Sequence, residues 1–479
     1  MHLACTRSRL ASLVALALAA CNNDVIDPGE DDTGAGSGGT TQADGTTAGT
    51  SAADTGAAAL RPNWHEDIAP LVHASCTGCH REGGIAPFSL ETYALAEGLA
   101  PLLGDTVVAG TMPPWGALET DECQPQHRWK DDLRLTDAEK QLFIDWAAEG
   151  APEGDPAKAA PLPTPPSLEL ADPTLTLQNP APFTVGGKQD SFICVAIDPA
   201  VDKDVWITGV QMVPDNAKVV HHVLVYVDRM ATSDGLVDAN STFPCEGFVS
   251  FDGAMQIATW VPGAVPTETP PEIGFPMPAG SRIVLAYHYH PTGAGDEVDQ
   301  SSIALRWTEQ KPSINGVMGL FGNGDGLEPG PNDPNGVPVF HIPANVADHT
   351  ETMSVTIPDW LPKTPIFTLG THMHYVGVDM RMWIERGGQE QCLIHTPRWD
   401  FNWQRNYTVD APVADMPYIQ GGDIVRIKCK FDNTLGNPFL VKALAEQGLS
   451  EPIDVELGES SLEEMCLLLF GLATDLPLD

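Results

Sequence analysis

The spacing of apolar and polar positions divides this chain of 479 residues into a helical part and a strand-rich part. Helical spacing covers residues 64–72, and Thr136-Asp137-Ala138-Glu139 opens a capped helix that runs through Trp146. From residue 168 onward, short apolar runs lie between proline and glycine turns, at 219–227, 283–288, 366–374 and 424–431. Such runs are typical of antiparallel sandwiches, and about 310 residues are too many for one sandwich. We therefore predict a multi-domain fold, in which a small all-α domain is followed by two tandem antiparallel β-sandwich (jelly-roll-like) domains.

Changes in amino-acid composition along the chain set the expected boundaries between its segments and domains. The predicted segments are a signal peptide at 1–21, a flexible acidic linker at 22–61, the helical domain at 62–158, a proline-rich linker at 159–170, and the two sandwiches at 171–311 and 312–479. The first linker has seven carboxylates and neither basic nor aromatic residues up to residue 60, so it cannot bury a core.

The N-terminus predicts export. Arg7 and Arg9 precede an apolar run that is too short to span a bilayer. The run ends in Leu18-Ala19-Ala20-Cys21, which resembles a bacterial lipobox and implies lipidation of Cys21; the alternative is an ordinary signal peptide with an incidental cysteine. We expect a protein of the bacterial cell envelope that faces the periplasm or the exterior and is held to the membrane by its lipid alone.

A formal charge of −40 argues against nucleic acid as a partner.

Cys76-Thr77-Gly78-Cys79-His80 is the attachment pattern of a covalent c-type haem. Two cysteines three positions apart can form thioethers to the haem vinyl groups, and His80 then reaches the iron. Met112, next to Pro113-Pro114, is the expected sixth ligand, and its rivals are His65, His73 and His127. The motif could instead be a redox dithiol or half of a zinc site. This stretch also resembles the small c-type cytochrome domains fused ahead of bacterial oxidoreductases, so we expect residues 62–158 to form a cytochrome c domain that relays electrons.

Three histidine clusters lie in the strand-rich part. His372 and His374 are two positions apart, so on a strand they face the same side and can chelate one metal. His221 and His222 are adjacent, and joint ligation requires a bend in the strand or the use of different ring nitrogens. His288 supplies a further imidazole from another strand. Imidazole and thioether donors without carboxylates or thiolates suit copper better than zinc, calcium or non-haem iron.

These clusters resemble the metal sites of the copper type II, ascorbate-dependent monooxygenases, the family of peptidylglycine α-hydroxylating monooxygenase and dopamine β-monooxygenase. The resemblance covers roughly residues 175–479 and implies two copper ions. One would be bound by His221, His222 and His288, and the other, the catalytic copper, by His372, His374 and Met465. Met465 matches the family's thioether ligand in the segment Glu464-Met465-Cys466. The same match implies the disulfides Cys194–Cys245 and Cys429–Cys466. Cys123 and Cys392 remain, and by elimination they would join the helical module to the second sandwich.

Other polar and aromatic candidates have ordinary explanations. We expect His290 and Met373 to be bystanders of the metal sites. Three further histidines, His341, His349 and His395, are expected in loops or in the core. The segment Trp399–Trp403 is expected to be a packed aromatic stretch.

The resemblance implies insertion of one oxygen atom of O2 into an aliphatic C–H bond, with external electrons from ascorbate or a redox protein, here entering through the haem. Family members that bind the carboxylate of a peptide substrate use charged and polar side chains where this chain has Gly370, Leu467 and Leu469. We therefore expect an apolar or small neutral substrate. The alternatives are a non-catalytic copper/haem electron-transfer or copper-binding lipoprotein and, with less support, a zinc hydrolase.

Overall fold

The computed structural model describes residues 61–476, apart from positions 85, 166, 168, 188, 246, 263, 331, 332 and 461. The predicted signal peptide, the lipidation of Cys21 and the acidic linker up to residue 60 lie outside the described residues. Within them, no helix has both the length and the apolar character needed to cross a membrane.

The helices lie mainly in the first quarter of the chain. A π-helical turn at Trp64–Ile68 leads into α1 (Ala69–Ser75), and α2 (Tyr93–Ala96), α3 (Ala100–Ala109), α4 (Asp137–Ala148) and α5 (Pro438–Glu446) follow, with 3-10 turns at Glu97–Leu99, Pro156–Lys158, Thr232–Gly235, Pro334–Gly336 and Val413–Asp415. The predicted capping box is confirmed, because the Thr136 side chain accepts from the Glu139 amide and the Glu139 side chain accepts from the Thr136 amide. Helix α3 ends at Gly110, whose φ of 66° is the left-handed conformation that glycine adopts without strain.

The strands begin at residue 175. They are β1 (Leu175–Gln178), β2 (Phe183–Val185), β3 (Ser191–Ile197), β4 (Val205–Val213), β5 (Val220–Asp228), β6 (Thr242–Pro244), β7 (Ala254–Trp260), β8 (Thr267–Glu268), β9 (Ile273–Met277), β10 (Arg282–Tyr289), β11 (Glu297–Asp299), β12 (Ser302–Thr308), β13 (Ile314–Gly322), β14 (His341–Ile342), β15 (Val346–Thr356), β16 (Thr364–His372), β17 (Gly377–Arg386), β18 (Gln389–Thr396), β19 (Asn406–Thr408), β20 (Tyr418–Ile419), β21 (Ile424–Asn433), β22 (Val455–Glu456) and β23 (Leu467–Thr474). The four apolar runs predicted as strands correspond to β5, β10, β16 and β21.

One long sheet joins the two halves of the strand-rich part. Its order is β1-β12-β4-β9-β13-β23-β16-β19, with β8 on β4 and β20 on β16. A five-stranded sheet, β6-β3-β10-β5-β7, belongs to the first half, and a four-stranded sheet, β15-β21-β17-β18, belongs to the second. The boundary predicted after residue 311 falls between β12 and β13, but β13 pairs in parallel with β9 of the first half. The inner faces of all three sheets share one apolar core, so the two halves are packed together.

The predicted fold class, a small all-α cytochrome c domain followed by two tandem sandwiches, is wrong. The structure is mostly β-sheet, with 36% strand and 15% helix, and the expected all-α domain is not seen. Residues 110–136, between α3 and α4, contain no α-helix. Pro113, Pro114 and Pro125 interrupt helical hydrogen bonding in this stretch. Its buried Trp115 and Trp129 join the core of the β-sheets, so the stretch follows the sheet surface.

Main-chain hydrogen bonds tie this irregular stretch to the second half. The Leu118 amide donates to the His395 carbonyl (2.9 Å), and the Lys130 amide donates to the Thr408 carbonyl (2.8 Å). The Cys123–Cys392 disulfide fastens the same contact. All three predicted disulfides are confirmed, because Cys194–Cys245 and Cys429–Cys466 are also formed.

Removing Cys123–Cys392 with paired serine substitutions is expected to lower the free energy of unfolding by about 2–5 kcal/mol, because the bond closes a loop with a sequence separation of 269 residues. Limited proteolysis should then cut between residues 110 and 136 sooner than in the unaltered protein. The matched control removes Cys194–Cys245, which lies within the five-stranded sheet and its edge, and should leave that cleavage rate unchanged. Equal protection of the 110–136 stretch in both variants would contradict a clamping role.

Candidate metal centre

A β-bulge brings the first three histidines together. Strands β5 and β10 are antiparallel neighbours in which His222 pairs with His288, whereas Val220 pairs with Tyr289. His221 is therefore the extra residue of the bulge, and the bend predicted for adjacent histidines is present. As a result, the potential ligand atoms of His221, His222 and His288 all lie within 4.8 Å of one another.

Met465 and His374 lie just beyond the paired ends of strands β16 and β23. His372 pairs with Leu467 at the end of this ladder, so His374 follows β16 and Met465 precedes β23 by the same two residues. The disulfide from Cys466 to Cys429 anchors this end of β23 to β21. Met465 is buried. The rings of His372 and His374 have centroids 5.3 Å apart.

His372, His374 and Met465 form the second set of potential ligands. The buried carboxylate of Glu464 holds the histidine segment and the methionine segment in place. Oε1 of Glu464 accepts from the His374 amide and from the Met465 amide (2.7 Å), and Oε2 accepts from the Val376 and Gly377 amides (3.1 Å each). Burial raises the pKa of Glu464 to about 8, although the four amides favour the charged form. The four hydrogen bonds fix Met465 relative to His374.

Hydrogen bonds select which ring nitrogens face the metal positions. In the second set, His372 Nδ1–H donates to Gln404 Oε1 (2.6 Å) and His374 Nδ1–H donates to the Glu463 carbonyl (3.0 Å), which leaves both Nε2 atoms for a metal. In the first set, His288 Nε2 lies 3.0 Å from Asp190 Oδ2, and neither ring nitrogen of His288 makes a hydrogen bond of good geometry among the described residues.

The first pair also offers its Nδ1 atoms. His221 Nδ1 and His222 Nδ1 are 3.2 Å apart. Two neutral imidazole rings whose Nδ1 atoms approach each other in this way suit a metal ion bound between them. Buried His288 Nδ1 and His374 Nε2 have no hydrogen-bond partner among the described residues. Such atoms are costly to bury unpaired, so their arrangement favours metal ligation.

The surroundings keep these imidazoles neutral. Burial lowers the pKa of His372 to about 4 and that of His374 to about 3, and it lowers the pKa of His221 and His222 well below the ordinary value. Neutral imidazole is the form that binds metals. The donors are five imidazole nitrogens and the thioether of Met465, without a thiolate, so the set fits copper.

The two sets, expected to be separate, meet across the two halves. The ring centroids of His222 and His372 are 6.0 Å apart, in an edge-on arrangement. Phe401 stacks on His221 (5.0 Å) and on Tyr375 (4.1 Å). Sequence reasoning treated the 399–403 segment as packing alone and missed Phe401, Gln404 and Asp190 as neighbours of the ligands. No local spacing signals these contacts, because each joins residues that are distant in sequence.

The other histidines have protein partners. His290 Nδ1–H donates to Asp190 Oδ1 (2.7 Å), so it contacts the residue that orients His288. Met373 is buried against Gly377. His349 pairs with Glu351, His395 lies between Asp379 and Thr120, and His341 lies 3.9 Å from Asp454.

The haem attachment motif shows features that fit a covalent haem. Cys76 and Cys79 are both free thiols. His80 Nδ1–H donates to the Phe88 carbonyl (3.1 Å), which leaves Nε2 for an axial bond. A cavity of about 410 Å³ is lined by residues 81–84, 86–89, 91, 92 and 95, which follow His80 in sequence and include the exposed apolar side chains of Phe88 and Leu95.

Met112 lies elsewhere: it lines a second cavity of about 400 Å³ that includes Trp115, Arg134 and Arg398. Its role as the sixth haem ligand stays a prediction. Among its rivals, His73 contacts the Glu91 carbonyl, His65 lies near Glu153, and His127 packs edge-on against Trp129.

Comparisons with known proteins do not assign the chain to a family. No protein-family model and no curated protein matches the chain. Among solved structures, the major capsid protein P2 from Bacteriophage PM2 aligns at 10% identity over 59% of this chain and 97% of its own, with a TM-score of 0.24. Allantoicase aligns at 12% identity over 50% of this chain and 77% of its own, with a TM-score of 0.15. Both TM-scores are too low to support an argument about fold or function.

Replacing Asp190 with asparagine is expected to lower copper affinity at the first set by about 10–100-fold, because an amide cannot accept from both His288 and His290. Competition with a copper chelator would measure the copper affinity of the first set. The copper affinity of the second set should not change. His290→Ala is the matched control, since it removes the other partner of Asp190 and leaves the His288 contact. An unchanged first-set affinity in Asp190→Asn would show that His288 is oriented by other contacts.

Proposed function

We propose that the chain is a copper-dependent monooxygenase that hydroxylates an aliphatic C–H bond of an apolar or small neutral substrate with O2. The observation that carries the proposal is the pairing of a three-imidazole set with a set of two imidazoles and one thioether at the contact of the two halves. This ligand pattern is the one implied by the resemblance to the copper type II, ascorbate-dependent monooxygenases. Copper bound to these residues would supply one-electron redox chemistry and reactivity toward O2.

The protein residues have distinct tasks in this proposal. His372 and His374 present Nε2 atoms whose direction is fixed by Gln404 and the Glu463 carbonyl. The soft thioether of Met465 favours the reduced state of copper, which is the state that meets O2. His222, His288 and His374 are buried, whereas His221 and His372 remain partly exposed.

The residues beside the second set support an apolar or neutral substrate. Gly370 pairs with Leu469, and a side chain at position 370 would begin 2.5 Å from Asn406 Oδ1. An arginine at this position would have to displace the Asn406 side chain, and the glycine present has no charge that could bind a carboxylate. Leu467, opposite His372, is also uncharged. The surface around the ligands consequently favours a substrate without charge.

Cys76, Cys79 and His80 would hold one covalent haem, which would supply electrons from ascorbate or a redox protein. The free thiols and the His80–Phe88 hydrogen bond support this part of the proposal. The lipobox-like sequence supports a lipid-anchored position in the cell envelope.

The test uses the full-length, haem-containing protein from an envelope fraction. Metal analysis should return two copper ions per haem, and reduced protein should transfer one atom of ¹⁸O2 to a small apolar hydrocarbon. Fewer than two coppers per haem would contradict the proposed sites. Full metal loading with reversible reduction, but without O2 uptake on any hydrocarbon, would instead support the non-catalytic electron-transfer alternative.

A further inference from the structure

Arg405 of the second half packs on the stretch that contains the expected haem ligand Met112. The residue directly precedes β19, and its guanidinium carbon lies 4.5 Å from the centre of the Trp115 ring. Trp115 follows Met112 by three positions, and its ring also packs on Tyr407 at 5.2 Å. The contact therefore brings an arginine of the second half beside the helical part of the chain.

The guanidinium of Arg405 pairs with no carboxylate in the part of the chain that the structure describes. Its Nε is buried and has no hydrogen-bond partner there. Arg134 lies over the same Trp115 ring, at 5.8 Å, but it forms ion pairs with Glu119 and Asp132. A buried charge without a counter-charge is costly, so the surroundings of Arg405 favour an anion that is not part of the polypeptide.

Electrostatic interactions link Arg405 to the haem attachment motif. Burial lowers the pKa of Arg405, and the charges that oppose this effect include that of Cys79. Burial raises the pKa of the Cys79 thiol, and the charge of Arg405 is the largest influence that opposes the rise. Because the interaction between two charges weakens with distance, the guanidinium lies in the neighbourhood of Cys79.

A covalent haem has carboxylates of its own. Its thioether bonds form at the vinyl groups of the porphyrin, and two propionate groups leave the ring on the other side. A guanidinium binds a carboxylate through two parallel hydrogen bonds, each roughly twice as strong as a neutral hydrogen bond. Arg405 thus offers, near Cys79, the kind of donor from which a propionate group accepts.

We propose that Arg405 binds a propionate carboxylate of the haem and so holds the haem against the second half. This inference rests on the covalent haem of the proposed function and is independent of the substrate and of hydroxylation. Gln404, the neighbour of Arg405, accepts from His372 Nδ1–H (2.6 Å). The contact would therefore leave two consecutive residues between the haem and a ligand of the second set.

The experiment is a redox titration of the full-length, haem-containing protein, followed by the visible absorption of the haem. A positive charge beside the haem stabilises its reduced state, which carries one more electron. We expect Arg405→Gln to shift the reduction equilibrium of the haem about tenfold toward the oxidised state, which lowers its midpoint potential by about 59 mV. Arg405→Lys keeps the charge and should retain most of the potential. An unchanged potential in Arg405→Gln, with the haem still covalently attached, would overturn the inference.

The pH dependence of the potential tests the propionate contact itself. In Arg405→Gln the released propionate regains an ordinary carboxyl pKa, so the potential should rise as the pH falls through that range. In the unaltered protein the arginine keeps the carboxylate ionised, and the potential should change less with pH. The same pH dependence in both proteins would count against a bound propionate.

Arg134→Gln is the matched control, because Arg134 lies over the same Trp115 ring but is paired with protein carboxylates. It should leave the haem potential unchanged. An equal lowering in Arg134→Gln and Arg405→Gln would assign the effect to packing around Trp115 and overturn the inference.

A second measurement decides the matter if Arg405→Gln does not fold. The propionate bending band in the resonance Raman spectrum of Arg405→Lys should shift from its position in the unaltered protein, because lysine cannot form the two parallel hydrogen bonds. An unshifted band would contradict the contact. Mass spectrometry that finds no covalent haem in the unaltered protein would contradict the haem of the proposed function itself, so the two failures are distinguishable.

Discussion

Replacing Glu464 with glutamine is expected to destabilise the protein by about 2–6 kcal/mol and to remove Met465 from the second metal set. The carboxylate accepts from four main-chain amides, those of His374, Met465, Val376 and Gly377. A glutamine side chain keeps one oxygen and places an NH2 group against the other two donors, and each buried unsatisfied amide costs about 1–3 kcal/mol. Urea unfolding would measure the free energy of unfolding.

A spectroscopic measurement separates positioning from general stability. X-ray absorption of the Cu(I)-loaded protein should lose its copper–sulfur contribution in Glu464→Gln, while the nitrogen contribution from the first set remains. Glu463→Gln is the matched control, because that neighbouring side chain is exposed and its carbonyl can still accept from His374. A persistent copper–sulfur contribution in Glu464→Gln would contradict the positioning role.

Replacing His374 with alanine is expected to reduce oxygen insertion by at least about 100-fold, because the second set loses one of its two imidazoles. His374 is buried and its Nε2 has no hydrogen-bond partner among the described residues, so removing it leaves no other protein donor unsatisfied at Nε2. The measurements are ¹⁸O incorporation per chain and copper content. We expect the copper content to fall from two ions to one.

The copper ion bound by the first set provides the internal reference for the His374→Ala variant. His221, His222 and His288 lie on β5 and β10, in a different sheet from the strands β16 and β23 that His374 and Met465 adjoin, so the remaining copper should keep its Cu(II) spectrum. Full oxygen insertion by His374→Ala, or loss of both copper ions with the fold intact, would contradict the division of ligands between two sets.

Several features were determined by residues close together in sequence. The capping box at Thr136 and Glu139 and the four long strands follow from local periodicity, although β16 ends at His372 and leaves His374 outside the strand. The need for a bend at His221 also follows from local spacing, because adjacent side chains on a regular strand point to opposite faces. The disulfide pairs agree with the sequence interpretation, although their assignment used a family resemblance and elimination.

The helical module shows where local patterns were insufficient. Helical spacing around Trp64 and Trp146 was interpreted correctly, but it was extended over residues 110–136. Trp115 and Trp129 in that stretch join the core of the β-sheets, and both rings pack on Tyr407, which is distant in sequence. Local periodicity contains no information about partners at that separation.

The sequence alone therefore determined which side chains are neighbours along the chain: imidazoles two positions apart or adjacent, a thioether beside a cysteine, and a Cys-x-x-Cys-His motif. Only the tertiary structure decided how these donors combine. The bulge at His221, the pairing of His372 with Leu467, the four amides around Glu464 and the approach of His222 to His372 all depend on contacts between distant segments. Strand register and packing of the two halves set those contacts, and both are properties of the whole core.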